Sequence, residues 1–328
     1  MQIGVFVLSA AVSLTASVLL VTRLERVGER LGFSEALLGL LAALAADGPE
    51  ITAAVAAISG GHGTVGVSVT LGSNVFNLAA LLGVGAIVAG SIRFRRRAVA
   101  IEGVVGIWIA LVALAFVTGL VGPILGLLLA LIVFVPYVAL SAATSDVRSR
   151  LRLPRRWSVW LAVALAEEEH DLKTAIRPRR GDRRDALVAI VSLVVVIVAS
   201  VVMEEAATDL GNQSGVPPIV VGGLVLAGVT SLPNAVAAVY LASRGRGAAT
   251  LSTAFNSNAV NVVAGLLLPA AILGAGAPSS DRLIVVLCYV ALTAITIALA
   301  IRGRGLDRRG GATILAGYLV FVGILVTR

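Results

Sequence analysis

The chain is poor in the residues that carry most soluble chemistry. It has one cysteine, Cys288, set in an apolar run, so it can build neither a disulfide framework nor a thiolate metal site. It has two histidines, His62 and His170. No Ser–His pair and no two aspartates on facing helices are present, which argues against an intramembrane protease and against an enzyme generally. Charge is scarce as well. Only 13% of residues are charged, 58% are hydrophobic, and mean hydropathy is +1.00. A soluble domain of this size would carry about twice that charge.

Apolar runs of helix-spanning length recur instead along the whole chain. A helix needs about 20 apolar residues to cross about 30 Å of hydrocarbon. Ten spans are predicted, near residues 2–22, 35–60, 64–90, 99–118, 122–141, 185–204, 216–243, 248–275, 283–301 and 311–327. The first stretch is long and has no basic segment before it, so it is expected to be a retained span and not a cleaved leader. The sequence therefore predicts an all-α integral membrane protein whose partner is the lipid bilayer.

The formal net charge of +8 is explained by topology and not by nucleic acid. Every Lys and Arg except Arg282 and Arg328 falls in an odd-numbered loop. Those loops are expected to face the cytoplasm, which puts both termini outside a cell (inner) membrane. Glu204, Glu205 and Asp209 are then expected on an outside loop. Loop five, 142–184, is the longest polar segment and is read as a basic cytoplasmic linker lying on anionic headgroups.

The chain also repeats itself. Residues 39–78 align with 223–262 without a gap, at an offset of 184. Matched pairs include Gly39/Gly223, Pro49/Pro233, Ser59/Ser243, Ser73/Ser257, Asn74/Asn258 and Asn77/Asn261. Alanine and valine match easily in apolar sequence, but Pro, Ser and Asn do not. Five spans per half is an odd number, so the second copy enters the membrane from the opposite side. That is an inverted-topology repeat, the build of many secondary transporters. The expected organisation is a first five-helix repeat (1–141), the basic loop (142–184) and a second five-helix repeat (185–328).

Each copy contains a break: Ala45-Ala46-Asp47-Gly48-Pro49-Glu50 and Val229-Thr230-Ser231-Leu232-Pro233-Asn234. Proline removes a backbone donor and clashes with the carbonyl four residues earlier. The freed carbonyls, near Ala45 and Ala46 and near Val229, must be buried in protein or face a hydrated cavity. Asp47 and Glu50 are the only carboxylates placed deep in the membrane by this reading. Each costs about 2.5–3.5 kcal/mol at the bilayer centre. No Lys, Arg or His lies at matching depth, so the compensating charge is a bound cation or protons. Ser73 and Asn77 share one helix face, as do Ser257 and Asn261. With Thr230, Ser231 and Asn234 they complete an oxygen-rich set that suits Ca²⁺ and suits Zn²⁺ or Cu⁺ poorly. Gly72 and Gly83, like Gly39, read as packing positions.

These motifs resemble the two alpha repeats of the calcium/cation antiporter superfamily, which includes sodium/calcium exchangers. The family's first repeat typically reads G-T-S-x-P-E followed by G-S-N-x-F-N. Here those positions are Ala45-Ala46-Asp47-Gly48-Pro49-Glu50 and Gly72-Ser73-Asn74-Val75-Phe76-Asn77. The resemblance implies a Ca²⁺ position between the breaks flanked by Na⁺ positions, with ligands at Glu50, Thr230, Ser231, Ser73, Asn77, Ser257 and Asn261. It also implies alternating access in which spans one and six move; their few interior polar residues would suit sliding.

The departures are specific. Asn234 stands where the family usually has an acid, Asn261 where some members have another, and Asp47 where the family has Ser. The expected function is antiport of Ca²⁺, or a similar hard cation, against Na⁺ or H⁺. The rivals are transport of another cation, a passive cation channel and a family member that binds no ion. No cofactor is expected beyond the transported ions.

Overall fold

A computed structural model of the chain describes residues 2–31, 44–94, 96–142, 181–243, 245, 247–274, 276–303 and 305–328. Those residues form a multi-pass helical membrane protein. In chain order the helices are α1 (Gln2–Arg30), α2 (Gly48–Ser59), α3 (Gly63–Ala89), α4 (Arg96–Val117), α5 (Pro123–Ala142) and α6 (Arg183–Ser214). Then follow α7 (Pro218–Thr230), α8 (Leu232–Ser243), α9, α10 (Ser280–Gly303) and α11 (Arg308–Val326). Helix α9 begins as Gly247–Val260, widens over Asn261–Leu267 and ends as Leu268–Leu273.

Among the described residues, eight helices are long and apolar enough to cross a bilayer. Helices α7 and α8 meet at Ser231 with a bend of 47° and, taken together as one broken span, make a ninth. The predicted span 35–60 is represented by a helical turn at 44–46 and by α2; its beginning lies outside the described residues, as do Gly39, His170 and nearly all of loop five.

Helix α3 lies at the centre, buried from Val65 to Val75 and again at Asn77. Close crossings are made by glycines that have no side chain to keep backbones apart. A Cβ on Gly72 would lie 2.6 Å from the Gly223 carbonyl oxygen, and one on Gly311 would lie 2.6 Å from that of Gly83. Helices α1, α5 and α6 show the opposite pattern. They expose Ile3, Val7, Leu8, Leu128, Ile132, Leu187, Ile190 and Val194, an apolar surface suited to lipid.

The ends of the helices sort into two sides. A short antiparallel pair, β1 (Ser91–Arg93) with β2 (Gly305–Asp307), joins loops three and nine. Gly247 packs on the Arg93 carbonyl, which brings in loop seven. The other side gathers Thr64 with Arg282, and Gly119 with Pro278. Gln2 reaches Asp209 on that side, at the end of α6 opposite Asp185, where Arg23 and Arg26 bind. Among the described residues, loops three, seven and nine thus gather on one side and loops two, four and eight on the other.

Three expectations are corrected. Arg23, Arg26 and Arg30 are not in a loop but on the last two turns of α1, because nothing in the sequence stops the helix there and basic side chains suit its C-terminal end. Glu204, Glu205 and Asp209 are likewise on α6, which runs to Ser214 and stops at Gly215 in the left-handed conformation. The start of α6 is fixed by a capping box between Asp182 and Asp185. Helices α1 and α6 are also not free of interior polar groups. Ser9, Ser13 and Ser17 are buried on α1, spaced one turn apart, and Ser192, Ser200, Glu204 and Thr208 are buried on α6.

Candidate functional site

Helix α2 begins where the break predicts. Gly48 and Pro49 occupy its first turn, where the missing N–H of Pro49 leaves no bond inside α2 unmade. Asp47 immediately precedes the helix without a capping bond from its side chain, and Glu50 follows within the first turn, so both carboxylates lie at its N-terminal end. Opposite them, Ser231 forms the corner between α7 and α8, and Asn234 lies in the first turn of α8. Helices α3 and α9 supply the remaining walls.

The predicted residues come together and are almost completely buried. Asp47 has no exposed surface and Glu50 has 1%. Ser231 donates to Glu50 Oε1 at 2.5 Å, and Asn261 donates to Glu50 Oε2. Asn234 and Ser257 both donate to Asp47 Oδ1 at 2.5 Å. Ser257 in turn accepts from Asn77 and Asn234, each at 3.2 Å. Ser73 lies beside Glu50, but its Oγ makes no well-formed hydrogen bond.

Thr230 is the exception. Its hydroxyl turns back on its own helix, donating to Leu226 O at 2.9 Å, and does not reach either acid. The reason is local: a threonine in a helix readily bonds the carbonyl four residues earlier.

Two residues matched by the repeat hold the walls together. Asn74 Nδ2 donates to the Asn258 carbonyl at 3.1 Å, and Asn258 Nδ2 donates to the Asn74 carbonyl at 3.2 Å. Asn74 Oδ1 also accepts from Asn261, and Asn258 Oδ1 accepts from Asn77. The exchange is reciprocal at the 184-residue offset. The helices also widen at places that match to within one residue, over Leu78–Val84 in α3 and Asn261–Leu267 in α9, as wide turns often do beside functional sites.

The electrostatics follow from these contacts. Among the described residues, no Lys, Arg or His bonds to Asp47 or Glu50. Their negative charge is met by hydroxyl and amide donors alone. Four oxygen atoms in the same network have no hydrogen-bond partner: Asp47 Oδ2, Ser73 Oγ, Asn77 Oδ1 and Asn261 Oδ1. Buried oxygens of this kind normally find a donor or a cation. The donors are hard and carry two formal negative charges, which matches a hard cation such as Ca²⁺ or Na⁺. No group of three or more His, Cys, Asp or Glu is found among the described residues.

Other buried acids escape a reading of the sequence. Glu102 on α4 is 4% exposed and accepts from the Tyr137 hydroxyl at 2.8 Å. Glu204 is 2% exposed, accepts from Thr208 at 2.9 Å and has His62 at 3.7 Å. Both lie toward helix ends, where the sequence alone does not distinguish a solvated acid from one turned inward. Cys288 is half-buried on α10 and takes no part in the network.

Comparison with known proteins gives the family and the fold. Residues 1–166 and 185–327 match the family described as sodium/calcium exchanger protein. A sodium/potassium/calcium exchanger of Drosophila melanogaster, Nckx30C, is 28% identical over 155 residues, 45% of this chain; the matched region is 18% of that longer protein. The structure of the H⁺/Ca²⁺ exchanger CAX superposes with a TM-score of 0.69 at 14% identity, covering 99% of this chain and 86% of CAX. The exchanger NCX_Mj, soaked with Na⁺ and Sr²⁺, gives 0.63 at 20% identity and covers 98% and 97%. YfkE gives 0.63 at 17% identity and covers 98% and 92%. At these identities the superpositions establish the shared fold.

Proposed function

From the premise that the chain belongs to the sodium/calcium exchanger family, whose members are transporters and not enzymes, we propose a specific reading of its cation antiport. It exchanges Ca²⁺ against Na⁺ or H⁺ by alternating access. Asp47 and Glu50 hold the ion; Ser73, Asn77, Ser231, Asn234, Ser257 and Asn261 supply neutral oxygens. Thr230 contributes through its helix and not through its hydroxyl.

One observation carries the proposal. Two buried carboxylates share a network with side chains from α3, α8, α9 and the α7–α8 corner, and among the described residues no basic group neutralises them. The chain must bring positive charge to that place from outside. Rotation of the Asn234 and Asn261 amides would replace their donors with Oδ1 and turn a hydrogen-bonded cluster into a coordination shell. Two negative charges balance one Ca²⁺, two Na⁺ or two protons. With Asn at 234 and 261, no third acid is available for a larger load of Na⁺, so a small coupling number is proposed.

The same reading divides the chain into inverted five-helix repeats, 1–141 and 185–328, joined by 142–184. It is supported by the reciprocal Asn74/Asn258 bonds and by the wide turns at places that match to within one residue. It places the protein in the cell (inner) membrane, with the basic loops in the cytoplasm and both termini outside. The test is radiolabelled Ca²⁺ uptake into proteoliposomes with Na⁺ and pH gradients imposed separately. Uphill accumulation driven by either gradient supports antiport and identifies the coupling ion. Downhill flux alone would indicate a channel, and no uptake would remove Ca²⁺ exchange.

A further inference from the structure

Pro49 has no N–H to give to the carbonyl four residues earlier, which belongs to Ala45. An unpaired carbonyl in a dry interior is costly and needs a donor from elsewhere. A donor comes from another helix. Ser17 of α1, itself fully buried, donates its hydroxyl to Ala45 O at 3.0 Å. One turn back along α1, Ser13 Oγ lies 2.7 Å from Ser200 Oγ of α6. Ala45 is buried and stands two residues before Asp47, whose Oδ2 is one of the partnerless oxygens of the site.

We propose that Ser17 is a positioning residue for the cation site. Its hydroxyl holds the carbonyl that Pro49 strips of a helical partner, and so sets the orientation of the Asp47 carboxylate from a neighbouring helix. The role rests on the reading of Asp47 as an ion ligand. Ser13 meets Ser200 of α6 and not the break, so the two buried serines of α1 can be told apart. The second break is held differently. Val229 O, the carbonyl four residues before Pro233, accepts a backbone N–H from the turn that closes its own helix. The position in α6 that matches Ser17 at the 184-residue offset is Val201, which has no donor to offer. The latch therefore belongs to the first half alone.

The test compares Ser17→Ala, Ser17→Thr and Ser13→Ala in the full chain, reconstituted in lipid. Two readouts are taken: amide hydrogen exchange over residues 45–51, and the Kd for Ca²⁺ beside the maximal uptake rate. Ser17→Ala is expected to speed exchange at the break and raise the Kd about five-fold, with maximal rate within about two-fold. Ser17→Thr keeps a hydroxyl and is expected to restore both. Ser13→Ala removes a buried hydroxyl contact of the same helix and is expected to leave exchange at 45–51 unchanged. Unchanged exchange in Ser17→Ala, or an equal change in Ser13→Ala, would overturn the proposal. A wild-type protein that binds no cation would instead remove the transport reading, and the exchange data would still decide whether the latch exists.

Discussion

The two breaks use one backbone device with opposite chemistry. At the first, proline follows Asp47 and precedes Glu50, and both carboxylates turn into the protein. At the second, proline lies between Ser231 and Asn234, and both side chains donate to those carboxylates. The walls show the same asymmetry in a milder form. Asn74 and Asn258 exchange identical bonds, while Asn261 reaches Glu50 and Asn77 reaches Ser257 and Asn258. Backbone geometry is matched between halves, and charge is not. A site lined by two acids on one side and neutral donors on the other can hold a divalent ion without four carboxylates repelling one another.

This asymmetry of charge is tested most severely at the acids. Glu50→Gln and Asp47→Asn each remove half of the negative charge while leaving the donors in place. Each is expected to reduce Ca²⁺ uptake by about 100-fold or more, following the roughly 3–5 kcal/mol cost of removing one partner from a buried charged pair. Proteoliposome uptake at saturating and subsaturating Ca²⁺ measures it. Undiminished activity in both variants would mean that the carboxylates do not carry the ion.

Moving charge to the second break probes the same asymmetry from the other side. Asn234→Asp places a third acid beside Asp47 and Ser257. The added carboxylate is expected to tighten cation binding by about ten-fold and to increase the positive charge moved with each exchange. Calorimetry and the voltage dependence of uptake read the two effects. Weaker binding would show that the Asn234 amide, and not its position, is what the site needs.

Two smaller effects test the walls. Asn74→Ala and Asn258→Ala each leave a buried carbonyl without its donor. Each is expected to lower stability by about 1–3 kcal/mol, and the two losses are expected to be similar because the bonds are reciprocal. Thermal unfolding in detergent compares them; a large difference would argue against equivalent halves. The smallest effect is expected at Thr230→Val, within about two-fold in uptake, because the lost hydroxyl bonds only its own helix. A loss as large as that of Ser231→Ala would place the Thr230 hydroxyl in the ion path.

Much of the candidate site is legible in the amino-acid sequence. Pro, Asp, Glu and Asn inside apolar runs are costly in a membrane, so their presence at matched positions points to a purpose. Ser231, Asn234, Ser257 and Asn261 all reach the acids as that reasoning requires. Ser17 is not legible in this way. A lone serine in an apolar helix bonds its own backbone as easily as a neighbour, as Ser9 of the same helix does with Val5. Glu204 is misplaced by the sequence because an acid ten residues from a helix end reads as the beginning of a loop.

The linear order of residues was enough to say that the chain is a multi-pass helical membrane protein, where two of its helices are interrupted, and that two carboxylates sit at one interruption. These follow from the one-dimensional cost of polar groups in hydrocarbon. Only packing in three dimensions could turn the Thr230 hydroxyl away, bring Ser17 to the Ala45 carbonyl and enclose Glu102 and Glu204. The reason is rotational. In a membrane, lipid-facing and protein-facing surfaces are both apolar, so hydrophobic periodicity does not fix how each helix is turned.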